Sequence, residues 1–306
     1  MDPIIIGELA ALATSALWAS SSTFFTLGGK RQSPQMMNRW RLLGAVLLLG
    51  LFHVIILGTI FPNEDLLVWL ILALSGIIGL SVGDGFLFWA YVKIGPRVSM
   101  LVMSMTPVVT TGAAWVLMGE TLSWLKLVSI GVTLSGIAWV VTDKRNGMDG
   151  LENRSPFRMS WFGLALAFGG MMGQAIQLLL AKDAMSRMLS DNPPLTATYI
   201  RIFWGAVSIW IATFILGRAG RSVKAFRDRR FVIWISLATV FGPFLGIWAS
   251  FIAIDYAPIG IASTLMALPP LIMIPVSRYV FQERITYRSI IGTVIALVGV
   301  AGLFLF

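Results

Sequence analysis

Apolar runs of about 20 residues follow one another along almost the whole chain, and they limit its possible folds more than any other feature. A helix needs about 20 apolar residues to cross the hydrocarbon core of a bilayer. The chain is 57% apolar and only 12% charged, whereas an ordinary soluble domain is roughly 25% charged. The pattern predicts an all-α membrane protein with ten transmembrane helices, near residues 5–27, 36–58, 66–92, 98–118, 123–142, 160–182, 195–217, 231–254, 260–280 and 286–306.

The composition argues against several classes of function. The chain has no cysteine, which excludes disulfides, thiolate metal ligands and a cysteine nucleophile. The sequence contains no zinc-type cluster, no Gly-x-Ser-x-Gly motif and no Walker-type loop. We therefore expect no enzymatic activity, no cofactor and no metal. The net charge of +9 would suggest nucleic acid in a soluble protein, but here the basic residues lie between apolar runs, and we expect no nucleic-acid partner.

The distribution of lysine and arginine predicts how the helices are oriented. Alternate loops differ greatly in basic residues, and the loop at 218–230 carries six of them. The opposite side of the membrane receives only Lys126, Lys182 and Arg187. Because cytoplasmic loops carry the excess of Lys and Arg, the 218–230 loop is predicted to be cytoplasmic and both termini to lie outside.

The chain contains an internal repeat. One constant offset between the two halves places Pro107 on Pro270 and Glu120 on Glu283, and it needs no gap from position 79 to position 136 of the first half. A slightly smaller offset, in the second helix of each half, places Arg41 on Arg201. These matches predict a first five-helix repeat at 1–142, a linker loop at 143–158 and a second repeat at 159–306.

Each repeat has an odd number of helices, so the second is expected to enter the membrane inverted. Inverted repeats are typical of transporters, in which the two halves alternate around a site near the bilayer midplane. We expect a pseudo-two-fold axis in the membrane plane, with the last helix of each half away from the central cavity.

The motifs "ALWASS" in the first helix, "TPVVTTGAAWVLMGETL" and its counterpart "LPPLIMIPVSRYVFQERI" resemble the EamA-type members of the drug/metabolite transporter superfamily. The resemblance covers essentially the whole chain. It implies a basket-like bundle with a central cavity lined by helices 1, 3, 4, 6, 8 and 9. It also implies transport of amino acids, nucleotide sugars, other metabolites, cations or lipid-linked sugars. Many bacterial members are expected to keep both termini inside, unlike the orientation that the charge distribution predicts for this chain.

Asp84, in the stretch "SVGDGFLFWA", is the first candidate site residue. A charged side chain at bilayer depth is costly, and it indicates a functional site by default. Arg41 is predicted to lie at a similar depth. One interpretation is a buried Asp84–Arg41 pair that only fixes helix packing, and the other is a carboxylate that binds a cationic group or a proton. The equivalent place in the second half holds Ile247, so a symmetric two-carboxylate site is not expected.

Other candidates for substrate binding are aromatic or uncharged polar residues. Gln174 and Gln177 lie three apart and so share a helix face. Serines also serve as small packing residues between membrane helices, and aromatic residues are more often core than ligand contacts. The full predicted set is Asp84, Trp18, Ser21, Ser22, Trp89, Gln174, Gln177 and Trp248.

A second group is predicted to act in gating or structure. Prolines break or kink helices, and an acid at a helix start interacts with the positive end of the helix dipole. Glu120 and Glu283 are each expected to lie at the start of the helix that follows them. This group comprises Arg41, Arg201, Pro107, Pro270, Glu120 and Glu283.

Together these features predict a secondary transporter that moves a small organic solute, namely an amino acid, another metabolite or an organic cation, by alternating access. The alternative is a flippase for a lipid or a lipid-linked sugar. The expected partners are the substrate, membrane lipids and a proton or cation as coupling ion, and the chain is expected to be a monomer or homodimer. The expected location is the prokaryotic inner (plasma) membrane.

Overall fold

The computed structural model describes residues 2–29, 32–141, 161–217, 219–220, 225–280 and 286–305, and it contains helices and turns with no strand in these ranges. The predicted linker at 143–158 and the predicted site residue Glu283 lie outside the described residues.

Thirteen α-helices, two π-helices and one 3₁₀-helix have defined bounds within the described ranges. The α-helices are α1 Pro3–Gly29, α2 Pro34–Leu57, α3 Leu66–Gly76, α4 Asp84–Met103, α5 Thr106–Met118, α6 Trp124–Val141, α7 Trp161–Met185, α8 Pro193–Ile215, α9 Arg229–Thr239, α10 Leu245–Tyr256, α11 Ile259–Met266, α12 Pro269–Val280 and α13 Tyr287–Leu305. The π-helices are Ile77–Gly83 and Val240–Phe244, and the 3₁₀-helix is Ala225–Arg227.

Seven helical segments are long and apolar enough to cross a membrane, and three further apolar helices are shorter. The seven are Pro3–Phe25, Gln35–Leu57, Leu66–Leu87, Trp161–Met185, Pro193–Ile215, Arg229–Tyr256 and Ile259–Val276, and the three are Thr106–Met118, Trp124–Val140 and Ile290–Leu305. Large apolar side chains such as Leu117, Trp161 and Leu305 are exposed. Such surfaces suit lipid rather than water, so the chain is an integral membrane protein.

Local sequence signals set several helix ends. Ser33 caps α2 by accepting a hydrogen bond from the Met36 backbone N–H at 3.4 Å, and Pro34 follows it within the first turn. Asn192 caps α8 in the same way, accepting from the Leu195 N–H at 3.2 Å. Such side-chain acceptors satisfy amide groups that have no partner within the helix. Gly58 ends α2 with φ of 75°, a backbone conformation that glycine adopts without steric cost.

The break between the third and fourth predicted helices lies at a different place from the one that the sequence predicts. A break was predicted at residues 93–97, but the residues from Asp84 to Met103 are helical, and the interruption lies at Ser104–Met105. Pro107 lies in the first turn of the next helix, where its missing N–H costs no intrahelical bond. In the second half the helix stops at Ala257–Pro258, and a second interruption at Ala267–Leu268 precedes Pro269.

One interruption in each repeat coincides at the offset that aligns Pro107 with Pro270, whereas Ala257–Pro258 aligns with residues 94–95, which are helical. Ser104–Met105 matches Ala267–Leu268. The π-helix that begins at Ile77 matches the one that begins at Val240. A π-helical turn widens the helix and often marks a functional site. Both repeats therefore depart from α-helical geometry at equivalent positions.

Packing contacts between the repeats are reciprocal. A methyl group on Gly79 would overlap the Gln177 side chain, and one on its counterpart Gly242 would overlap the Ser21 side chain. Ser21 and Gln177 are themselves equivalent when helices α1 and α7 are aligned. Small residues let membrane helices approach closely, so the same close approach is built twice, with the roles of the halves exchanged.

The last helices of the two repeats, α6 and α13, pack against each other. A methyl group on Gly136 would overlap the backbone of Ala296, and one on Gly299 would overlap the backbone of Thr133. The alignment of the repeats converts the first contact into the second, because Gly136 corresponds to Gly299 and Thr133 to Ala296. The α6–α13 interface is therefore self-complementary in the way that a two-fold relation requires.

Candidate functional site

Asp84 is buried at the point where the first π-helix passes into α4. It is 8% exposed, and its backbone N–H bonds to the carbonyl of Gly79 across the widened turn. Its carboxylate Oδ2 lies 3.5 Å from Nη2 of Arg41, and Oδ1 accepts a hydrogen bond from Nε2 of Gln174 at 3.3 Å. The π-helix thus directs this acid between α2 and α7, and the predicted pairing with Arg41 is present.

Arg41 is oriented by its own helix as well as by Asp84. Its Nη2 donates to Oδ1 of Asn38 at 2.8 Å, one helical turn earlier. The guanidinium carbon lies 5.5 Å from the centre of the Phe25 ring, within the range of a cation–π interaction. Nε of Arg41 is buried and has no hydrogen-bond partner among the described residues.

Arg201, the counterpart of Arg41 in the second repeat, approaches the same acid. It is 2% exposed, its Nη2 lies 2.9 Å from the place that a methyl group on Gly79 would occupy, and its guanidinium carbon lies 5.3 Å from the centre of the Phe251 ring. Its Nε is also buried without a partner in the described part of the chain. Asp84 therefore pairs with Arg41 and has a second arginine, Arg201, nearby, beside the Gly79 whose carbonyl accepts the Asp84 N–H.

Gln174 and Gln177 extend this polar group along α7. Nε2 of Gln177 donates to Oε1 of Gln174, and Gln174 in turn donates to Asp84. Gln177 is 5% exposed, and its Oε1 has no hydrogen-bond partner among the residues described. We call Asp84, Arg41, Arg201, Gln174 and Gln177 the charged cluster.

The equivalent region of the other half is apolar and aromatic. Trp18, the counterpart of Gln174, packs on Gly246, next to Ile247. The Trp248 ring lies 6.4 Å from the Phe52 ring between centres, and its Nε1 is buried without a partner in the described chain. The structure thus places Trp18 and Trp248 in an environment unlike that of the charged cluster.

Ser21, Ser22 and Trp89 are the remaining predicted binding residues. The hydroxyl of Ser21 donates to the Ala238 carbonyl at 2.9 Å, which gives it a packing role. Ser22 is exposed. Trp89 is 57% exposed and lies more than one turn after Asp84, about 140° around the helix at roughly 100° per residue. A substrate role for these three residues stays a prediction.

Glu120 has a different partner from the one predicted. Its Oε2 accepts from the backbone N–H of Ile259 at 2.9 Å, and its Oε1 lies 2.6 Å from Nζ of Lys182. Lys182 also donates to the Ala257 carbonyl at 2.9 Å. The expectation that Glu120 lies at the start of its own following helix is wrong, because this carboxylate caps α11 of the other repeat.

Two predicted prolines lie at matched helix starts. Pro107 is buried in the first turn of α5, and its carbonyl accepts from the Thr110 hydroxyl at 3.1 Å. Thr110 also bonds to the hydroxyl of Ser263 at 2.8 Å, which connects α5 with α11. Pro270 is the second residue of α12. Both prolines therefore follow the matched interruptions and start new helices.

Comparison with known proteins decides the family. The model of the EamA-like transporter family matches residues 5–142 and again residues 161–305. The chain belongs to this family. A crystal structure of a protein 13% identical in sequence aligns with this EamA chain at a TM-score of 0.77, covering 97% of this chain and 95% of that one, and shares its fold. No protein of curated function matches the chain. The EamA membership makes this integral membrane protein a transporter.

Sequence reasoning missed two contributors to the EamA chain's polar contacts. Asn38 orients Arg41, and its place one turn earlier on the same helix is a signal that could have found it. Lys182 pairs with Glu120 although the two lie in different repeats, and no local pattern in the sequence connects these two positions.

Proposed function

We propose that the chain is a secondary transporter that moves a small organic solute, such as an amino acid or another metabolite, by alternating access. The substrate binds at the charged cluster. The observation that carries this proposal is the buried cluster in which Asp84 pairs with Arg41 of its own repeat and lies near Arg201 of the other. Such a group at bilayer depth is costly unless it serves a function. Each half contributes to it, so a relative movement of the halves changes the site.

The proposed architecture is ten transmembrane helices in two inverted five-helix repeats, with a first repeat at 1–142, a linker at 143–158 and a second repeat at 159–306. The reciprocal contacts of Gly79 and Gly242 support this arrangement. So do the matched interruptions, because discontinuous helices at corresponding places of two repeats point to the binding region of a transporter.

The proposed setting is a prokaryotic inner membrane, with the 218–230 loop cytoplasmic and the termini outside. A proton or cation gradient drives uphill movement of the substrate. Contacts between the basic loops and the surrounding lipids fix the orientation of the chain. The chain acts as a monomer or homodimer. The distribution of basic residues carries the orientation.

The test is transport by the purified full chain in proteoliposomes. Vesicles are loaded with an equimolar mixture of amino acids and central metabolites, and exchange against a labelled external mixture is followed by mass spectrometry. Saturable exchange by wild type and by Gly131→Ala, but not by Arg201→Gln, is the expected result. Gly131 is the control because a methyl group there meets nothing within 4 Å.

A parallel assay follows movement of a fluorescent phospholipid between leaflets of the same vesicles. Lipid movement without solute exchange would replace the proposal by the flippase alternative. No movement of either, in vesicles containing correctly folded protein, would refute transport by this chain under the proposed mechanism.

A further inference from the structure

The charged cluster contains more positive than negative charge. It holds one carboxylate, Asp84, and two guanidinium groups, Arg41 and Arg201. We propose that the cluster binds an oxyanion, a carboxylate or phosphate group of the substrate, with the two arginines as receptor and Asp84 as their internal counterion. This inference rests on the proposed function, since it assigns a substrate class to the same site.

The second arginine is less compensated than the first, because Arg41 has both the ion pair with Asp84 at 3.5 Å and the hydrogen bond to Asn38 at 2.8 Å. Arg201 is 2% exposed, and its Nε has no hydrogen-bond partner among the described residues. Asp84 already bonds to Gln174 at 3.3 Å and pairs with Arg41 at 3.5 Å. The Phe251 ring, 5.3 Å away, offsets only part of the cost of burying a cation. An additional negative group is therefore stabilising at this place.

The second repeat does not supply that group at the position equivalent to Asp84. The alignment of the repeats places Asp84 on Ile247, which is 8% exposed and apolar. Arg41 and Arg201 are equivalent positions, but of the aligned positions 84 and 247 only the first is a carboxylate. The asymmetry leaves one guanidinium for a ligand, and guanidinium groups are suited to carboxylate and phosphate because they donate in a planar fork.

The cluster is most exposed on the side of Arg41. The side chains of Arg41 and Asp84 retain 18% and 11% exposure, and Gln174 is also partly exposed. The ion pair at 3.5 Å is longer than the roughly 2.7–2.9 Å of a strong charged hydrogen bond. An incoming oxyanion therefore competes with Asp84 for Arg41 and Arg201, and it lies beside the amide donors of the glutamines.

The apolar residues at the equivalent positions of the other half indicate the chemistry of the solute apart from its anionic group. Trp18 and Ile247 occupy the places that Gln174 and Asp84 hold in the other half, and Trp248 lies next to them in sequence with an aromatic neighbour, Phe52. An anionic head on an apolar or aromatic body suits this combination. Aromatic probes that differ only in charge therefore make the sharpest test.

The experiment measures ligand-induced thermal stabilisation of the full chain in phosphatidylcholine nanodiscs. The probes are 3-phenylpropionate, 3-phenylpropanamide and 3-phenylpropylamine, which share a body and carry a negative, no or a positive charge, together with phenyl phosphate. We expect half-maximal stabilisation by the two anions at concentrations about tenfold or more below those of the amide and the amine. An amine that stabilises as well as the anions, or no stabilisation by any probe, would overturn the proposal.

Variants test the roles of the two charges. Asp84→Asn removes the competing carboxylate, so 3-phenylpropionate should bind about tenfold more tightly. Arg201→Gln should remove the preference for anions over the amide. Arg187→Gln is the matched control, because it removes a cation from an exposed pair with Asp183 outside the cluster. Weaker anion binding by Asp84→Asn would refute the counterion role, and the charge order in the wild type decides the proposal even if Arg201→Gln does not fold.

A lipid headgroup carries the same chemistry as a soluble phosphate, and a second arm separates the two sources. Phosphatidylglycerol is added to the nanodiscs at increasing fraction. If it raises the 3-phenylpropionate concentration needed for stabilisation, the lipid phosphate occupies the cluster; if not, the oxyanion comes from a soluble compound. If the protein prefers the amine but still exchanges solutes in proteoliposomes, this inference is refuted and the proposed transport function is not. If anion binding is intact but no exchange occurs, the proposed transport function is refuted and this inference is not.

Discussion

Removing Asp84 should destabilise the protein more than removing either arginine that shares it. At 3.5 Å, two unit charges attract by about 5 kcal/mol at an effective dielectric constant of about 20. Breaking a buried pair typically costs about 3–5 kcal/mol, and the residual exposure of 18% and 11% places this pair toward the lower end. Asp84→Asn also leaves two cations without a counterion. The expected loss in the free energy of unfolding is therefore the full range of about 3–5 kcal/mol.

The arginine substitutions should be milder because each leaves Asp84 with one arginine nearby. After Arg41→Gln, Asp84 still interacts with Arg201, so we expect a loss of about 1–3 kcal/mol, the value of a charged hydrogen bond. Arg201→Gln leaves the Arg41–Asp84 pair intact and should cost less than Arg41→Gln. The double variant Asp84→Asn with Arg41→Gln retains one unpaired arginine and should therefore regain only part of the loss.

The assay is stepwise SDS denaturation of each variant in mixed micelles, followed by fluorescence of the 12 tryptophans, none of which is changed. The free energy of unfolding is compared across the four variants and wild type. Equal losses for Asp84→Asn and Arg41→Gln with full recovery in the double variant would describe an isolated pair. That outcome would refute the membership of Arg201 in the cluster.

Three further predictions concern packing, an ion pair and orientation. Gly136→Ala should lower the free energy of unfolding by about 1–3 kcal/mol through overlap at the α6–α13 interface. Gly131→Ala, on the same helix, should raise it by up to about 1 kcal/mol. Equal melting temperatures of the two variants would contradict the interface. Glu120→Gln should lower the free energy of unfolding by about 1–3 kcal/mol by removing the partner of Lys182, and a double-mutant cycle with Lys182→Met that shows no coupling would argue against the pair. Because the chain has no cysteine, Ser222→Cys should react with an impermeant maleimide only in inside-out vesicles, and labelling of intact cells would reverse the orientation.

The fold was largely predictable because its signals are long and repeated. Apolar runs of about 20 residues leave few alternatives to helices in a bilayer, and the constant offset between matching prolines and glycines relates the two halves before any contact is known. The family match over 5–142 and 161–305 confirms the predicted resemblance. The exact interruptions were less predictable: a Gly-Pro pair at residues 95–96 suggested a break, yet Asp84–Met103 is helical through it. Membrane helices tolerate proline where neighbouring groups satisfy the freed carbonyls.

The candidate site was predictable only where a residue was out of place in its own segment. Asp84 stood out because it is an acid in an apolar run, and Arg41 because it lies at a similar depth. The partner of Glu120 was not predictable, since its contacts with Lys182 and Ile259 depend on how the repeats pack. The π-helix at Ile77–Gly83 also has no pattern in side-chain hydrophobicity that distinguishes it from α-helix, because the two differ by a single residue in the turn.

Agreement and disagreement between the repeats carry different information. Glycines such as Gly79 and Gly242 agree because the close approach of helices requires the same small residue twice. Asp84 disagrees with Ile247, and Gln174 disagrees with Trp18. These differences meet in space, because Gln174 bonds to Asp84, while Trp18 packs on Gly246 beside Ile247. A symmetric scaffold permits the two halves to exchange conformations, but a solute with one charged end has no two-fold symmetry. Selection for such a solute would diversify the positions that contact it, and Asp84 and Gln174, where the proposed site lies, both differ from their counterparts.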